Sequence, residues 1–418
     1  MRKIHVRPGI IRIRHSLLEP LVTCLVLASA TALVAGDWPQ WRGPNRDGKV
    51  SGFNAPETWP KQLVQKWKVT VGVGDSTPAL VGERVYAFGR QENDEVIQCL
   101  EASSGKTVWE DRYPAGHVVT GPPARHPGTR SSPAVAAGKI CTLGVGGILS
   151  CLDASTGKML WRKQSNEDYL GIPYKADTAM SPTIVDDRCV VQVGSKTNSA
   201  LIAFDVASGE SKWKWDGDGA CFSSPVVMTD GGGRQLVTLT AKSVVGLGLS
   251  DGKLLWRIPF EAAQGNNTTP VIDGQTIIYT GQGKGMFAVK IEPQGDTFVA
   301  TPIWTNSELG ARFTTPILRK GLLFGYNGHF FCANATTGAT LWTDTANRGN
   351  SAALVDAGQV VLALSVNSEL VAFRPDEKQY DELARIKVAD TETWAHPVID
   401  GKRVYVRDRE NLTLWVIE

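Results

Sequence analysis

The sequence predicts an all-β fold: an eight-bladed β-propeller of four-stranded antiparallel blades, its ring closed by the N- and C-terminal strands. Three observations predict it. A unit of about 46 residues recurs along the chain from eight starting points. Seven tryptophans stand at the same place in the unit. The two ends of the chain carry complementary parts of one further unit.

The unit is clearest at 131–161, SSPAVAAGKICTLGVGGILSCLDASTGKMLW. Other copies begin at Ser76, Ser181, Ser223, Thr268, Thr314, Ser351 and His396. A Ser/Thr-Pro pair opens most copies, and proline suits a strand start where no ladder donor is required. Gly82, Gly138, Gly274, Gly321, Gly358 and Gly401 follow at the first hairpin turn. A second turn of the form Asp-Ala-x-x-Gly-Lys then precedes a fourth strand bearing the tryptophan. Between turns the apolar residues alternate or run for four to six positions, a strand pattern and not a helical one. GQGKG at 281–285 is followed by no helix and reads as a hairpin turn, not a phosphate loop.

Such four-stranded units cannot bury both faces alone and stack side by side. Trp67, Trp109, Trp161, Trp213, Trp256, Trp304 and Trp342 read as structural wedges between blades, with Ile386 in the eighth place. Residues 63–70 look like a fourth strand with no first three before it, and 403–417 like a second and third with no fourth. Pairing the two completes the ring and removes free sheet edges. Deleting 63–70 is expected to unfold or oligomerise the protein, and deleting 37–48 to be milder.

Residues 1–36 are a different material. Five basic residues precede an apolar run from Leu21 to Ala35 that closes on small residues, the order of a secretory signal peptide. The division expected is therefore signal peptide 1–36, cleaved near Ala35–Gly36, N-terminal extension 37–62 and propeller 63–418. The run is short for a membrane span, yet a leader retained as an anchor stays open. Thr23 before Cys24 argues against lipidation there. The leader holds five of the 44 Lys and Arg and one of the 42 Asp and Glu, which leaves 39 and 41 and a net charge of −2. No polybasic patch remains, so nucleic acid is not an expected partner.

The Asp-Ala-x-x-Gly-Lys-x-x-Trp repeat (residues 153–161, weaker at 205–213 and 251–256) resembles the pyrroloquinoline-quinone-like propeller repeat over roughly 63–418. The opening DWPQWRGPNRDG (37–48) is similar to the start of exported members of that family. The resemblance implies one of two activities, either a quinoprotein dehydrogenase or a non-enzymatic, BamB-like exported propeller. The dehydrogenases of the family typically use an adjacent Cys–Cys pair and long insertions, neither of which is present, and no catalytic or metal-binding position carries over. No cofactor is expected on this reading, with pyrroloquinoline quinone and calcium as the rival. Cys99, Cys151 and Cys332 share one slot of the repeat and read as small buried residues, while a bridge among Cys141, Cys189 and Cys221 stays open. His117, His126, His329 and His396 read as scattered surface residues.

If a ligand binds, the residues leading into the repeats should meet it at one mouth of the axial channel. These are Asp75, Arg130, Asp177, Asn267, Arg312, Asn350 and Trp394. The long segment 112–130 could cover that mouth. The expected function is that of an exported scaffold, periplasmic or in the cell envelope, binding an envelope protein or peptide. A monomer is expected, with peripheral membrane association left open. A carbohydrate-binding propeller using Phe222, Phe313 and Trp394 is the third reading.

Overall fold

The computed structural model describes residues 36–115, 122–164, 179–194, 198–230, 233–263 and 265–418. The signal-peptide reading falls, apart from Gly36, outside these residues. Within them the chain forms eight four-stranded antiparallel sheets, each ordered from an inner to an outer strand. Blades one to seven span 79–114, 134–164, 183–215, 226–259, 271–306, 317–343 and 352–387. Each inner strand begins directly after its proline wherever one is present: Ala79–Val81 after Pro78, Val398–Asp400 after Pro397.

Blade eight closes the ring as expected. Val398–Asp400, Arg403–Arg407 and Asn411–Val416 receive Val64–Thr70 as outer strand. The register runs from Val64 opposite Val416 to Thr70 opposite Asn411, with Trp67 opposite Leu414.

Neighbouring blades are tied at two radii. Near the rim, the indole N–H of Trp109 donates to the Ala154 carbonyl of the next blade at 3.1 Å, and Trp161 to Val206 at 2.9 Å. Trp67, Trp213, Trp304 and Trp342 do the same to Ala102, Leu249, Ala335 and Asp376. The acceptor carbonyl is placed by the turn. Asp153 accepts from the hydroxyls and backbone N–H groups of Ser155 and Thr156, which lock the turn and hold the carboxyl well below its usual range. Gly157 has φ +73°, and a Cβ there would come within 2.6 Å of the Trp109 ring. The turn glycine is therefore required twice, for its backbone angle and as the floor on which the indole lies.

Two blades depart from this scheme. Trp256 donates to Gln235 of its own blade, because blade five replaces the Asp-Ala turn with a long hairpin, Gly285–Gln294 and Thr297–Asn306. A cavity of ≈ 200 Å³ lined by Ile258, Tyr279, Phe287 and Trp304 lies at this junction. In blade seven the register corrects the sequence reading. Ala384 pairs with Ala372 beside the bulge, the slot that Trp161 occupies opposite Cys151, whereas Ile386 lies two residues further on. The longer turn before Glu382–Lys387 caused the misalignment, and Tyr380 from that turn packs against Trp342 and Phe373.

Near the axis the ties are hydroxyls. The backbone N–H of Thr77 donates to Ser132 Oγ of the next blade, Ser132 to Ser181, Ser181 to Ser224, Ser224 to Thr269 and Thr269 to Thr315. The N–H of His396 donates to Thr77 Oγ1, so the chain of bonds crosses the closure, with distances between 2.9 and 3.1 Å throughout. It breaks at blade seven, where Ala352 stands in the hydroxyl position.

The six cysteines among the described residues are buried free thiols.

Trp109→Ala removes a buried ring and one of the two donors to the Ala154 carbonyl, the Tyr86 hydroxyl being the other, and should lower stability by about 3–5 kcal/mol in denaturant titration. Gly157→Ala should be destabilising in the same assay by more than 1 kcal/mol on the order of a strained αL alanine. An unchanged midpoint for both would remove the rim indoles from the account of blade packing.

Candidate functional site: the two ends of the axial channel

The inner strands all run the same way, so their lead-in residues collect at one mouth and their first hairpin turns at the other. The turn-side mouth is filled by the chain itself. Trp38 forms an antiparallel bridge with Leu80 of blade one, and the Pro39 carbonyl accepts from Val135 of blade two. Gly48 and Val50 exchange backbone hydrogen bonds with Asp356 of blade seven. Between these anchors two arginines enter the channel. Arg42 donates to the carbonyls of Thr315 and Pro316 at 2.8 Å each and to Arg46 and Asp47 in its own segment. Arg46 donates to Gln40 Oε1 and to the carbonyls of Pro225 and Pro182. The segment hydrogen-bonds to the inner strand, or the residues leading into it, of six of the eight blades.

Both guanidiniums are buried with oxygen partners that carry no full charge. Burial lowers the Arg42 pKa to about 10 and that of Arg46 to about 9, so both stay cationic at neutral pH. His396 lies beside them with its ring 5.8 Å from Trp41, edge to face. Burial, reinforced by Arg42, lowers its pKa to about 3, which keeps it neutral. His396 is thus a channel residue, not the surface histidine the sequence indicated. The extension 37–48 is equally part of the core: Trp38 and Arg42 are both buried to within 1%.

The lead-in mouth is the one presented outward. Trp394, half-buried, meets His126 at 5.1 Å and Phe313 at 5.6 Å between ring centroids, both edge to face. His126 belongs to the segment before blade two and Phe313 to that before blade six, four blades apart. One indole therefore bridges opposite sides of the ring. His126 Nδ1 lies 2.9 Å from Asp75 Oδ2, and that bond raises the imidazole pKa. The Arg312 guanidinium lies over Phe313 at 4.6 Å, and the Trp394 N–H donates to Glu392 at 3.1 Å.

Of the residues expected at this mouth, Asp75, Arg312 and Trp394 are drawn into the one cluster. Arg130 borders it, donating to the His126 carbonyl at 2.7 Å. Asn267 Oδ1 is buried without a hydrogen-bond partner, and Asn350 is exposed. Asp177 and residues 116–121 of the long 112–130 segment lie outside the described residues. Phe222 is half-buried, its N–H on the Asn266 carbonyl at 3.1 Å. Glu392 was not singled out from sequence, and His126, read there as a scattered surface residue, is held in the cluster by Trp394 and Asp75; only the length of the 112–130 segment pointed toward it. Among the described residues no three His, Cys, Asp or Glu side chains converge to hold a metal ion. No described helix is long and apolar enough to cross a membrane.

A family model described as outer membrane protein assembly factor BamB matches residues 92–344. The outer membrane protein assembly factor BamB of Yersinia pestis is 24% identical over 287 residues, covering 65% of this chain and 69% of that protein. BamB from Moraxella catarrhalis superposes with a TM-score of 0.62 at 15% identity, over 85% of this chain and 98% of that one. The quinohemoprotein alcohol dehydrogenase from Comamonas testosteroni gives 0.64 at 14% identity, over 92% and 81%. At such identities the solved structures establish the shared propeller and no more.

His396 gives the structure an acid limb. Its folded pKa of about 3 lies below the unfolded value of 6.5, so the unfolded chain binds the proton first. The stability that this neutral imidazole contributes is complete above pH 6.5 and is lost as pH falls toward 3, at up to about 1.4 kcal/mol per pH unit. Denaturant midpoints between pH 7 and 4 should show this slope, and His396→Gln should flatten it. His126, with its raised pKa, acts in the opposite sense: its contribution is present below pH 6.5 and fades as pH rises through the raised value.

Proposed function

The chain belongs to the family of outer membrane protein assembly factor BamB, and on that premise we propose that it is an exported, non-enzymatic propeller that binds an envelope protein or peptide as a scaffold. One observation carries the reading. The channel is occupied from the turn side by residues 37–50, and the opposite mouth offers a single aromatic and charged cluster around Trp394. An indole with a half-buried face, flanked by Phe313, Arg312 and His126, has the composition of a binding hot spot. Assembly of outer membrane proteins, the role in the names of its relatives, is a task of holding protein partners. An exported location is supported by the leader-like order of residues 1–36 and by the outer membrane assembly named in the same relatives.

The quinone reading lacks support from the residues along the axis. Calcium-bound pyrroloquinoline quinone needs converging oxygen donors, and among the described residues no three Asp, Glu, His or Cys side chains come together. No reaction step is derived through it.

A photoreactive residue at position 313 should cross-link, in intact cells, to a defined envelope protein. Trp394→Ala should weaken that partner's affinity for the purified protein at least tenfold, about 1.4 kcal/mol or more, with the melting temperature retained. Saturable binding of pyrroloquinoline quinone with calcium, accompanied by dye-coupled alcohol oxidation, would overturn the scaffold reading.

A further inference from the structure

Three of the buried cysteines share one apolar cluster between blades two and three: Cys141, Cys151 and Cys189. Two of them come from adjacent strands of blade two, Lys139–Leu143 and Ile148–Asp153, whose register places Cys141 directly opposite Cys151. The hydrogen-bond pattern fixes the kind of pair. Gly144 N–H donates to the Ile148 carbonyl at 2.9 Å, and Ala154 N–H to the Gly138 carbonyl at 2.9 Å. Bonded pairs alternate along an antiparallel ladder, so Gly144–Ile148 and Gly138–Ala154 leave Cys141–Cys151 in a non-hydrogen-bonded position. Facing Cα atoms there are about 4.5 Å apart, with side chains at their closest. That separation falls within the range of about 4.4–6.8 Å in which a disulfide closes without backbone movement. Cys141 and Cys151 act on one another's ionisation: the facing Cys151 and Cys189 thiols push the Cys141 pKa up, and Cys141 lowers that of Cys151.

We propose that Cys141 and Cys151 are a modification site: they form a disulfide within blade two when the chain folds in the presence of a small disulfide oxidant. Cys189, whose thiol also acts on that of Cys141, is the neighbour and not the partner. It stands on the facing sheet, and packed sheets are about 10 Å apart, beyond the Cα separation of about 7 Å that a bridge tolerates. The chemistry is two exchanges. The Cys151 thiolate attacks one sulfur of the oxidant and expels the first small thiol. The Cys141 thiolate then attacks the Cys151 sulfur of the mixed disulfide and expels the second. Two protein S–H bonds and one small S–S bond are lost, and one protein S–S bond and two small S–H bonds form. Cys151 is the better first nucleophile, since the hydrogen bond from Cys141 lowers its pKa. Both thiols are fully buried, so the reaction belongs to folding, after the hairpin forms and before blade three packs on it. An exported chain meets such oxidants in its compartment, but the geometry does not depend on that.

The test refolds the full chain with and without reduced and oxidised glutathione, then alkylates under denaturing conditions. Both cysteines fall in one tryptic peptide, 140–158, ICTLGVGGILSCLDASTGK. The expected result is a peptide that takes no alkyl group until it is reduced and two afterwards, and a loss of two thiols against the reductant-refolded sample. Cys189→Ala should leave this unchanged, and Cys151→Ser should abolish it while the circular dichroism spectrum stays native. Full alkylation of the peptide without reduction, in a sample with the native spectrum, would overturn the proposal. So would a bridge from Cys141 to Cys189.

Discussion

The structure depends on how the backbone is satisfied at the axis. Eight inner strands bring one free edge each toward a shared centre, and unpaired N–H and C=O groups there would cost free energy comparable to lost hydrogen bonds. The donors are dealt with locally. A proline has no N–H to satisfy, and the residue before it gives its own N–H to the hydroxyl of the next blade. The acceptors are dealt with from outside the ring. Carbonyls of Pro182, Pro225, Thr315 and Pro316 are met by Arg42 and Arg46. The Ser/Thr-Pro motif and the N-terminal segment are thus two halves of one solution.

This division has an electrostatic consequence. Guanidinium donors make stronger hydrogen bonds than neutral ones and reach several carbonyls at once. Their desolvation is visible in the lowered pKa of both arginines and in the neutral state imposed on His396. A third guanidinium, Arg407, repeats the device between blades eight and one, donating to Gly72, Gly74 and Phe88 carbonyls. It stands where the ring closes, on the blade built from both ends of the chain. Filling one mouth in this way leaves the Trp394 side as the outward-facing end of the channel.

Much of the fold was legible because it repeats. Proline starts, hairpin turns, seven tryptophan positions and the pairing of 64–70 with 411–416 all follow from aligning copies of one unit. Misreadings cluster where copies diverge. Ile386 was placed by counting, but the longer turn around Tyr380 shifts the slot to Ala384. His396 occupies a hydroxyl position of the repeat, and one histidine gives no sign of being in the channel. The mouth was legible only in part: Asp75, Arg312 and Trp394 could be listed as a rim, whereas His126 reaches them from an irregular segment that no period describes. Phe313 and Trp394 meet across the ring although 81 positions apart in sequence.

By itself the sequence determined that the protein is a closed ring of eight short antiparallel sheets, because each unit carries its own turn chemistry and the same wedge. What joins unlike parts was decided by tertiary structure alone. The hydroxyls of the motif become inter-blade acceptors only when neighbouring inner strands lie side by side. The arginines of 37–48 find their carbonyls only once blades three, four and six surround the axis. Cys141 and Cys151 become neighbours only through the ladder that sets them opposite one another. Repetition encodes what each blade does for itself; the axis and the closure depend on distances between blades, which a local pattern does not specify.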